Sequence, residues 1–413
     1  MGDASARGVS LPRVLVTGLG SVSALGENTA QLWDGLLAGR TGIKPVANFR
    51  QEHLRNVLAG EIRLSAAQRE YAQRYRLDSR IALFAHLAID EALKDAAWAP
   101  VCLQKKKVGL VLGTSLGMSL VEKSIDQLDE CGGEQVDTYD DFAGVVEELA
   151  DAYRVSGEAL IVTTACAAGT NAIGIAKDMI RHEGYEVVIC GGVDTLDRMK
   201  YLGHSALNTL TPTLIRPFTP ERDGTLFGEG AGILVLERES LAQDHSIYAA
   251  CAGAGYSCDA HHITGPDPSG AGAVKVMGQA LGDAGIRPED VDHINLHGSG
   301  TPLNDGMEYT AIRDLFGPAA ERIPVSSIKP AIGHVMGAAG ALEAIATVLS
   351  LRDQKVPPTL NVAAPDPELP LNLVCGEARM AAIEHALSNS FGFGGCNGAV
   401  IFSRVNADPG TDP

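Results

Sequence analysis

The chain has 413 residues, of which 45% are hydrophobic, so it is long enough for two ordinary domains or one large duplicated domain. Its formal net charge of −18 excludes a nucleic-acid binder that relies on overall positive charge, and an acidic partner would need a local basic patch. No apolar run reaches membrane-spanning length. The eight cysteines show neither a CxxC pair nor a disulfide framework, which predicts reduced thiols in a cytoplasmic protein.

Strands and helices alternate along the first half of the chain. Buried strands are predicted at 13–20, 108–113, 187–192 and 231–237, with a neighbouring strand at 247–254. Helices are predicted at 28–38, at 79–97 and over the acidic segment 119–152, which has a loop near Gly132 and Gly133. This alternation predicts an α/β fold with mostly parallel sheets.

The stretch 160–179 places a lone cysteine between an apolar, strand-like run and a predicted helix. Cys166 has only small neighbours, which would let a substrate carbonyl approach closely. The first turn of a helix lies at the positive end of its dipole, so this position is expected to lower the thiol pKa and favour the reactive thiolate. A buried structural cysteine in a strand–helix corner explains this stretch equally well.

The second half of the chain repeats the alternation. Helices are predicted at 270–285, 305–316 and 340–351, and strands at 291–298, 324–328, 386–392 and 398–404. The strand–turn–helix pattern at 160–180 has a counterpart at 291–316. We therefore expect a duplicated architecture, although no repeat is visible in the sequence itself.

Three glycine-rich stretches of the second half, 297–305, 326–340 and 389–397, contain polar residues. A histidine at a strand end, such as His297, is more often structural than catalytic. Lys329 lies in an apolar stretch and needs a partner or a function there, because an unpaired buried charge is costly. The loop 392–395 offers main-chain N–H groups that suit an oxyanion hole, or it forms an ordinary turn.

In this order, these stretches resemble the β-ketoacyl-acyl-carrier-protein synthases of the elongating type, the ketosynthase II group and its polyketide relatives, over nearly the whole chain. The resemblance is carried by the turn 164–166, His297 within 295–298, Lys329 and His334 within 329–334, the closing stretch 389–395 and the signature 222–232. A priming ketosynthase III would have asparagine in place of His334, and a thiolase would have a second catalytic cysteine.

The resemblance implies a thiolase-like fold, in which two similar βαβαβαββ halves stack in αβαβα layers. We expect the half with the nucleophile at 13–257 and the half with the catalytic histidines and lysine at 258–405, between a disordered lead at 1–12 and a disordered tail at 406–413. It also implies a dimer without a resident cofactor or metal, because 4′-phosphopantetheine arrives on the acyl-carrier protein.

The implied reaction is a decarboxylating Claisen condensation. Cys166 takes an acyl chain from an acyl-carrier protein, and malonyl-carrier protein then loses carbon dioxide and attacks the acyl-enzyme. The resemblance gives catalytic roles to Cys166, His297, His334 and Lys329, and the main-chain N–H groups of Cys166 and Phe393 would hold the oxyanion. The two imidazoles, when neutral, would donate hydrogen bonds to the malonyl thioester oxygen, and Lys329 would anchor the surroundings of His334.

Further residues are implied for binding. Phe393 would be the gate, Thr301 would contact malonyl, and Leu116 and Met118 would form the wall of the acyl pocket. The residues expected at the substrate and gate are Thr301, Phe391, Gly392, Phe393, Gly394, Gly395, Leu116 and Met118. The residues expected at the carrier-protein docking surface are Arg74, Arg76 and Arg80, with Arg198 and Lys200 as possible additions.

Departures from the housekeeping fatty-acid enzymes leave the pathway open. Ser299 and Gly300 replace the usual Thr-Ser, the segment 210–218 is shorter, and Ala24 replaces a common proline. A type II polyketide or polyene pathway is therefore an alternative to fatty acid synthesis. The chain could also be the catalytic subunit of a ketosynthase–chain-length-factor heterodimer. A non-catalytic partner subunit is disfavoured, because such a subunit lacks the nucleophile that Cys166 supplies here.

Overall fold

The computed structural model of the chain describes residues 11–47, 54–77, 79–116, 118–121, 138–242 and 245–405. The elements of the first half are β1 (Val14–Val22), α1 (Thr29–Leu37), β2 (Lys44–Pro45), β3 (Leu58–Ala59), α2 (Ala66–Tyr75), α3 (Arg80–Asp95), α4 (Pro100–Leu103), β4 (Val108–Gly113), β5 (Met118–Val121), β6 (Thr138–Asp141), α5 (Phe142–Ala152), β7 (Ala159–Val162), α6 (Ala168–His182), β8 (Val187–Asp194), α7 (Arg198–Ala206) and β9 (Gly230–Arg238).

The elements of the second half are β10 (Ala249–Cys258), α8 (Ala271–Ala284), β11 (His293–Asn295), α9 (Pro302–Phe316), β12 (Pro324–Ser326), α10 (Lys329–Ile332), α11 (Ala339–Asp353), β13 (Lys355–Val356), β14 (Asn372–Leu373), β15 (Arg379–Met380), β16 (His385–Phe391) and β17 (Cys396–Ser403). None of the helices in the described ranges is both long and apolar enough to cross a membrane.

Eleven strands form one sheet in the order β14-β12-β11-β16-β17-β10-β1-β9-β8-β4-β7. The second half adds one short edge strand, β14; without it, each half contributes five strands in the same order, in which the first strand, counted from the centre outward, is followed by the fifth, fourth, second and third. The first strands of the halves, β1 and β10, pair antiparallel at the centre, with Leu15 opposite Ala250. This repeated order confirms the predicted duplication, which the sequence itself does not show.

The sheet is mixed, and the prediction of mostly parallel strands is wrong. The fifth strand of each half runs antiparallel to both of its neighbours, as in β1-β9-β8 and β10-β17-β16. The loop 392–395 between β16 and β17 is too short for a crossover, so those two strands can only pair antiparallel. Only the outer pairings, such as β4 with β7 and β8, are parallel.

The strands β1, β4, β8 and β9 of the first half are buried on both faces, which explains their nearly continuous apolar sequence. Along β8, Val188 and Cys190 enter one core, while Val187 and Ile189 enter another on the opposite face of the sheet. A strand between two helix layers needs apolar residues at every position.

Five layers follow from this packing. Helices α6 and α11 lie between the strands of the two halves, in a core that includes Ile173 and Leu342. Helix α3 covers the outer face of the first half with Phe84, while α8 and α9 cover the outer face of the second half with Met277 and Ile312. The predicted α/β fold with αβαβα layers is confirmed.

The segment 119–152 and the limits of the two halves can be compared with the sequence prediction. Of the helix predicted over 119–152, the described residues 119–121 and 138–141 belong instead to β5 and β6, which pair antiparallel, and the described residues 142–152 form the helix α5. Gly132 and Gly133 lie outside the described residues, as do most of the predicted disordered lead and the whole tail. The strand order groups β10 with the second half, whereas the domain limits 13–257 and 258–405 stay a prediction.

Candidate active site

The nucleophile candidate lies in a strained turn. A single 3-10 turn, Ala165–Ala167, connects the loop after β7 to α6, and Ala165 has a left-handed backbone with φ of 49°. A non-glycine residue in this region costs free energy, so the surrounding structure must hold the turn in place. The side-chain amide of Asn171 donates to the Thr164 hydroxyl at 2.9 Å across the turn. Cys166 is thereby held immediately before the N-terminus of α6.

The surroundings of the Cys166 thiol disfavour its ionisation. Removal from water raises its pKa to about 12, although the Lys329 ammonium and the main-chain N–H of Phe393, which donates to the sulfur, both oppose this effect. The carboxylate of Asp194 adds to the increase. The expected lowering of the pKa by the helix terminus is therefore wrong for this conformation, because desolvation outweighs it.

The loop 392–395 closes over the nucleophile turn. A Cβ on Gly392 would lie 3.0 Å from the Cys166 nitrogen and 3.1 Å from the Thr164 oxygen, so this close approach requires glycine. Gly394 adopts a left-handed backbone with φ of 77°, and its N–H donates to the Ile263 carbonyl at 2.8 Å. The two N–H groups predicted for the oxyanion hole, of Cys166 and Phe393, thus come from segments that touch.

Two histidines converge beside this turn, with ring centroids 5.3 Å apart. The Nδ1 atom of His297 accepts a hydrogen bond from the Phe391 N–H at 3.3 Å, and Nδ1 of His334 accepts one from the Met336 N–H at 3.3 Å. A neutral imidazole that accepts at Nδ1 carries its proton on Nε2. Each ring therefore presents an Nε2–H donor.

Both histidines are neutral at pH 7, as predicted. Burial holds the pKa values of His297 and His334 well below the usual range, and the nearby Lys329 cation lowers both further. The main chain of His297 is also fixed, because its N–H and that of Gly298 donate to the buried Glu308 carboxylate at 2.8 and 2.9 Å. Glu308 therefore positions the histidine loop.

Lys329 is 1% exposed and has the partners that a buried cation needs. Its ammonium forms an ion pair with the equally buried Glu343, donates to the His297 carbonyl and lies 3.4 Å from Nδ1 of His297. The lysine contacts His297 directly, and its charge also lowers the pKa of His334, which agrees with the predicted influence on the surroundings of His334. The sequence could not reveal this contact, because His297 lies far from Lys329 along the chain.

Two further residues of the site were missed by sequence reasoning. Asp194, at the end of β8, accepts from the N–H groups of Ser115 and Gly337 at 3.0 and 2.9 Å. The ring of His204 stacks on Phe393, with centroids 5.1 Å apart and planes 20° apart. Burial lowers the pKa of His204 to about 4, so it is neutral. A carboxylate at a strand end was a usable signal for Asp194, whereas nothing local marked His204.

The remaining substrate candidates fall into two groups. Phe391 lies with its ring centroid 5.8 Å from that of His297, and Thr301 precedes α9 with its hydroxyl 3.0 Å from that of Ser299. Leu116 follows β4 and is 62% exposed in the single chain, and its place in the wall of the acyl pocket stays a prediction. The side chain of Met118 lies outside the described part of the structure.

Fewer basic residues are available for carrier-protein docking than the sequence predicts. The guanidinium of Arg80 is held by the buried Glu229 and by the Ile62 carbonyl. Lys200 is buried and bound to Asp194. Each of these two cations neutralises a buried carboxylate, so the prediction is wrong for the buried Lys200, whereas Arg80, whose side chain is 31% exposed, becomes a weaker docking candidate than Arg74 and Arg76.

Arg74 and Arg76 remain exposed. They do not share a helix with Arg80, since α2 ends at Tyr75 and Arg76 caps it with φ of 56°, whereas α3 begins at Arg80. The guanidinium of Arg74 lies over the Tyr75 ring, 5.5 Å from its centroid. The docking role of Arg74 and Arg76 stays a prediction. Within the described ranges, no three histidine, cysteine or acidic side chains are grouped so that they could hold a metal ion.

A family model described as "Beta-ketoacyl synthase, N-terminal domain" matches residues 12–242, and one described as "Beta-ketoacyl synthase, C-terminal domain" matches residues 248–363. The chain belongs to the beta-ketoacyl synthase family. A relative from Synechocystis, "3-oxoacyl-[acyl-carrier-protein] synthase 2", is 36% identical over 408 residues, which cover 95% of this chain and 98% of the relative. The matched ranges of the beta-ketoacyl synthase family include Cys166, His297, Lys329 and His334.

Solved structures of beta-ketoacyl synthase type share the fold. One is described as "The ishigamide ketosynthase/chain length factor", with a TM-score of 0.86 and 32% identity, covering 96% of this chain and 100% of that chain. Another is described as a type II PKS acyl-carrier protein in complex with its ketosynthase bound to the hexaketide, with a TM-score of 0.82 and 28% identity, and covers 96% and 100% of the two chains.

Proposed function

We propose that this chain condenses an acyl group carried on Cys166 with malonyl-acyl-carrier protein and releases carbon dioxide and 3-oxoacyl-acyl-carrier protein. The observation that carries the proposal is the hydrogen bonding of the two histidines. Main-chain N–H groups occupy Nδ1 of both His297 and His334, so two Nε2–H donors converge beside a cysteine on a helix N-terminus. Two neutral donors suit an enolate oxygen that forms without a metal ion.

The first half-reaction is acyl transfer. The Cys166 sulfur attacks the carbonyl carbon of the acyl thioester, and the N–H groups of Cys166 and Phe393 stabilise the oxyanion. The bond to the phosphopantetheine sulfur then breaks, and the thiol proton leaves with that sulfur. Because the resting thiol has a raised pKa, its proton must be lost as the substrate binds and attack begins, not before.

The second half-reaction is decarboxylation and carbon–carbon bond formation. The malonyl group loses carbon dioxide, and its electron pair enters the thioester as an enolate whose oxygen accepts from Nε2–H of His297 and His334. The fixed charge of Lys329, paired with Glu343, lies close enough to His297 to stabilise this anion. The enolate carbon attacks the acyl carbonyl, and the bond to the Cys166 sulfur breaks.

The proposed partner is an acyl-carrier protein, loaded first with acyl and then with malonyl. The structural relative bound to an acyl-carrier protein supports this assignment. The site needs no resident cofactor, because the 4′-phosphopantetheine arm belongs to the carrier. We place the enzyme in the cytoplasm as a dimer, on the family resemblance.

A second candidate is the catalytic subunit of a ketosynthase–chain-length-factor heterodimer in type II polyketide or polyene synthesis. The similarity to the ishigamide ketosynthase/chain length factor favours it. The reaction at Cys166 would be the same, so this alternative changes the partner subunit and the pathway. A non-catalytic partner subunit is disfavoured, because the chain contains the nucleophile, both histidines and the lysine.

The test is a condensation assay with a panel of acyl-carrier proteins. Each is loaded with acyl or malonyl groups and incubated with the enzyme, and mass spectrometry then measures the 3-oxoacyl product. We expect product with at least one carrier and none with Cys166→Ala. Equal product from Cys166→Ala, or no product from the wild-type chain, alone or with a co-expressed chain length factor, would overturn the proposal.

A further inference from the structure

Two cysteines face each other where β10 and β17 reach the gate loop, 392–395. Cys258 is the last residue of β10, Cys396 is the first residue of β17, and the register of the antiparallel pair places them directly opposite. Cys258 is exposed and Cys396 is partly exposed, and both are free thiols. Neither takes part in the proposed condensation.

The hydrogen bonding around this pair shows how close the two side chains lie. The N–H of Asp259 donates to the Gly395 carbonyl at 2.9 Å, so the adjacent pair, Cys258 and Cys396, is a non-hydrogen-bonded pair. Opposite residues in such pairs have Cα atoms about 4.5 Å apart and side chains on one face. That separation lies within the range of disulfides, roughly 4.4–6.8 Å.

Both sulfurs also lie close to the same residue, Gly394. The Cys258 sulfur lies 3.6 Å from the Gly394 carbonyl oxygen, and a Cβ on Gly394 would lie 3.9 Å from the Cys396 sulfur. Both thiols therefore lie beside the residue that follows Phe393 in the gate loop. The register of the two strands therefore suits a bond between these sulfurs.

We propose that Cys258 and Cys396 form a reversible cross-strand disulfide beside the gate loop, with a low-molecular-weight disulfide as the oxidant. The exposed Cys258 thiolate attacks the small disulfide, forms a mixed disulfide and releases one small thiol. Cys396 then attacks the Cys258 sulfur and releases the second. In sum, two protein thiols lose their protons and electrons to one small disulfide, which becomes two small thiols.

The other described cysteines do not offer this chemistry. Cys190 and Cys251 are buried, and burial raises both of their thiol pKa values, so an oxidant does not reach a reactive thiolate there. Cys102 and Cys375 are exposed, but neither lies opposite a second cysteine in a strand pair described by the structure.

The disulfide would restrain the gate. Phe393 cannot leave the Cys166 thiol unless its loop moves, and the loop is already attached through Gly394 to Ile263 and through Gly395 to Asp259. A covalent bond from β10 to Cys396 would shorten the segment that is free to move. This consequence rests on the proposed function, in which acyl transfer needs Phe393 to move, whereas the disulfide itself does not.

The chemical test uses the full chain with Cys166→Ala, so that the nucleophile takes no part. After treatment with oxidised glutathione, we expect peptide mapping to show a Cys258–Cys396 cross-link whose mass is two hydrogen atoms below that of the two reduced peptides together, and dithiothreitol should remove it. In the same Cys166→Ala background, Cys258→Ser should instead carry one glutathione on Cys396, and Cys396→Ser should carry one on Cys258. Separate glutathione on both cysteines, or no cross-link, overturns the proposal.

The functional test uses the wild-type nucleophile. Oxidation should slow acyl loading several-fold, because loading would then wait for a restrained loop to open, and dithiothreitol should restore the rate. Cys396→Ser, treated identically, should keep its loading rate and thereby controls for modification of Cys166. A cross-link without slower loading would overturn the restraint of the gate. Failure of the reduced enzyme to load any acyl group would contradict the proposed function and leave the mapping result intact.

Discussion

At the scale of single residues, the chemistry depends on which nitrogen of each imidazole is occupied. Phe391 and Met336 donate main-chain N–H groups to Nδ1 of His297 and His334, respectively. These donors cannot rotate away, since they belong to the backbone of β16 and of the turn before α11. The tautomer is therefore set by the fold, and both Nε2–H groups are available before substrate arrives.

The two half-reactions should separate in histidine variants. We expect His297→Ala and His334→Ala to slow malonyl decarboxylation by about 10²- to 10⁴-fold, because each loses a donor to the enolate oxygen. Acyl loading should fall much less, since it relies on the turn at Cys166 and on Phe393. Carbon dioxide release and intact mass measure the two steps. Equal losses in both steps for both variants would contradict these roles.

The low histidine pKa values predict an unusual pH profile. Because the pKa values of His297 and His334 lie well below their usual range, the neutral donors persist as the pH falls through about 6.5, the ordinary histidine pKa. The variant Cys166→Gln has no titrating thiol, and its side-chain amide can imitate the acylated cysteine. Its rate of malonyl decarboxylation should therefore stay constant as the pH passes through about 6.5. These histidines take up protons on unfolding, so stability should decline below about pH 6.5. A rate inflection near pH 6.5 would refute the assignment.

At the scale of elements, the two halves use the same turn differently. The turns Ala165–Ala167 and Met336–Ala338 each begin with a left-handed residue, with φ of 49° and 48°, and each leads into a helix of 15 residues. In the second half, the carboxylate of Asp194 accepts from the Gly337 N–H at 2.9 Å. A carboxylate of the first half thus occupies a main-chain N–H at the N-terminus of the second-half helix α11, whereas Cys166 precedes the N-terminus of α6.

The gate loop has a partner that can be tested. Stacking on Phe393 should favour the conformation in which Phe393 covers Cys166, by about 0.5–1.5 kcal/mol for an aromatic pair. We expect His204→Ala to shift the loop toward the open form and to speed acyl loading roughly two- to tenfold. His204→Phe keeps a stacking ring and should behave like the wild-type chain. Stopped time courses of intact mass would show this, and identical behaviour of the two variants would count against the stack.

Local patterns predicted most helices and strands, because the apolar pattern of a buried strand or an amphipathic helix lies within a few neighbouring residues. The hairpin of β5 and β6 escaped prediction, since its pairing depends on a partner outside the segment. The ion pair of Arg80 escaped prediction for the same reason: its buried partner, Glu229, lies far away along the chain. The motifs around Cys166 were found through the family resemblance, whereas their electrostatics required the fold.

At the scale of the whole molecule, the strand order explains why the site needs both halves. Cys166 follows the first half's third strand, while His297 follows the second half's second strand, and the central helices α6 and α11 bring their N-termini together. Neither half contains both a nucleophile and a decarboxylating pair. The sequence could predict the two motif sets but not their meeting, which depends on contacts between residues far apart in the chain.

The negative net charge of the chain restricts where an acidic carrier protein can dock. With an overall charge of −18, an acidic carrier is repelled except at local basic surfaces, and Arg74 and Arg76 are the exposed candidates. Arg74→Glu with Arg76→Glu should raise KM for carrier-bound substrate several-fold, with little change for a small thioester, and high salt should reduce the difference. Equal losses with both substrates would assign these arginines to the fold.

Arg80→Gln is the matched control for this surface. It should leave the carrier KM unchanged but lower the free energy of unfolding by on the order of 2 kcal/mol, because the buried Glu229 carboxylate loses its cation. Thermal denaturation measures this loss. A raised carrier KM with unchanged stability would return Arg80 to the docking surface.

The central claim is that Cys166 carries the acyl chain between the two half-reactions. The direct measurement is the intact mass of the enzyme after incubation with acyl-carrier protein alone, followed by mapping of the modified peptide. We predict one acyl group per chain, on the peptide that contains Cys166, and its disappearance when malonyl-carrier protein is added. An acyl group on another residue, or acyl loading of Cys166→Ala at the wild-type rate, would contradict the account.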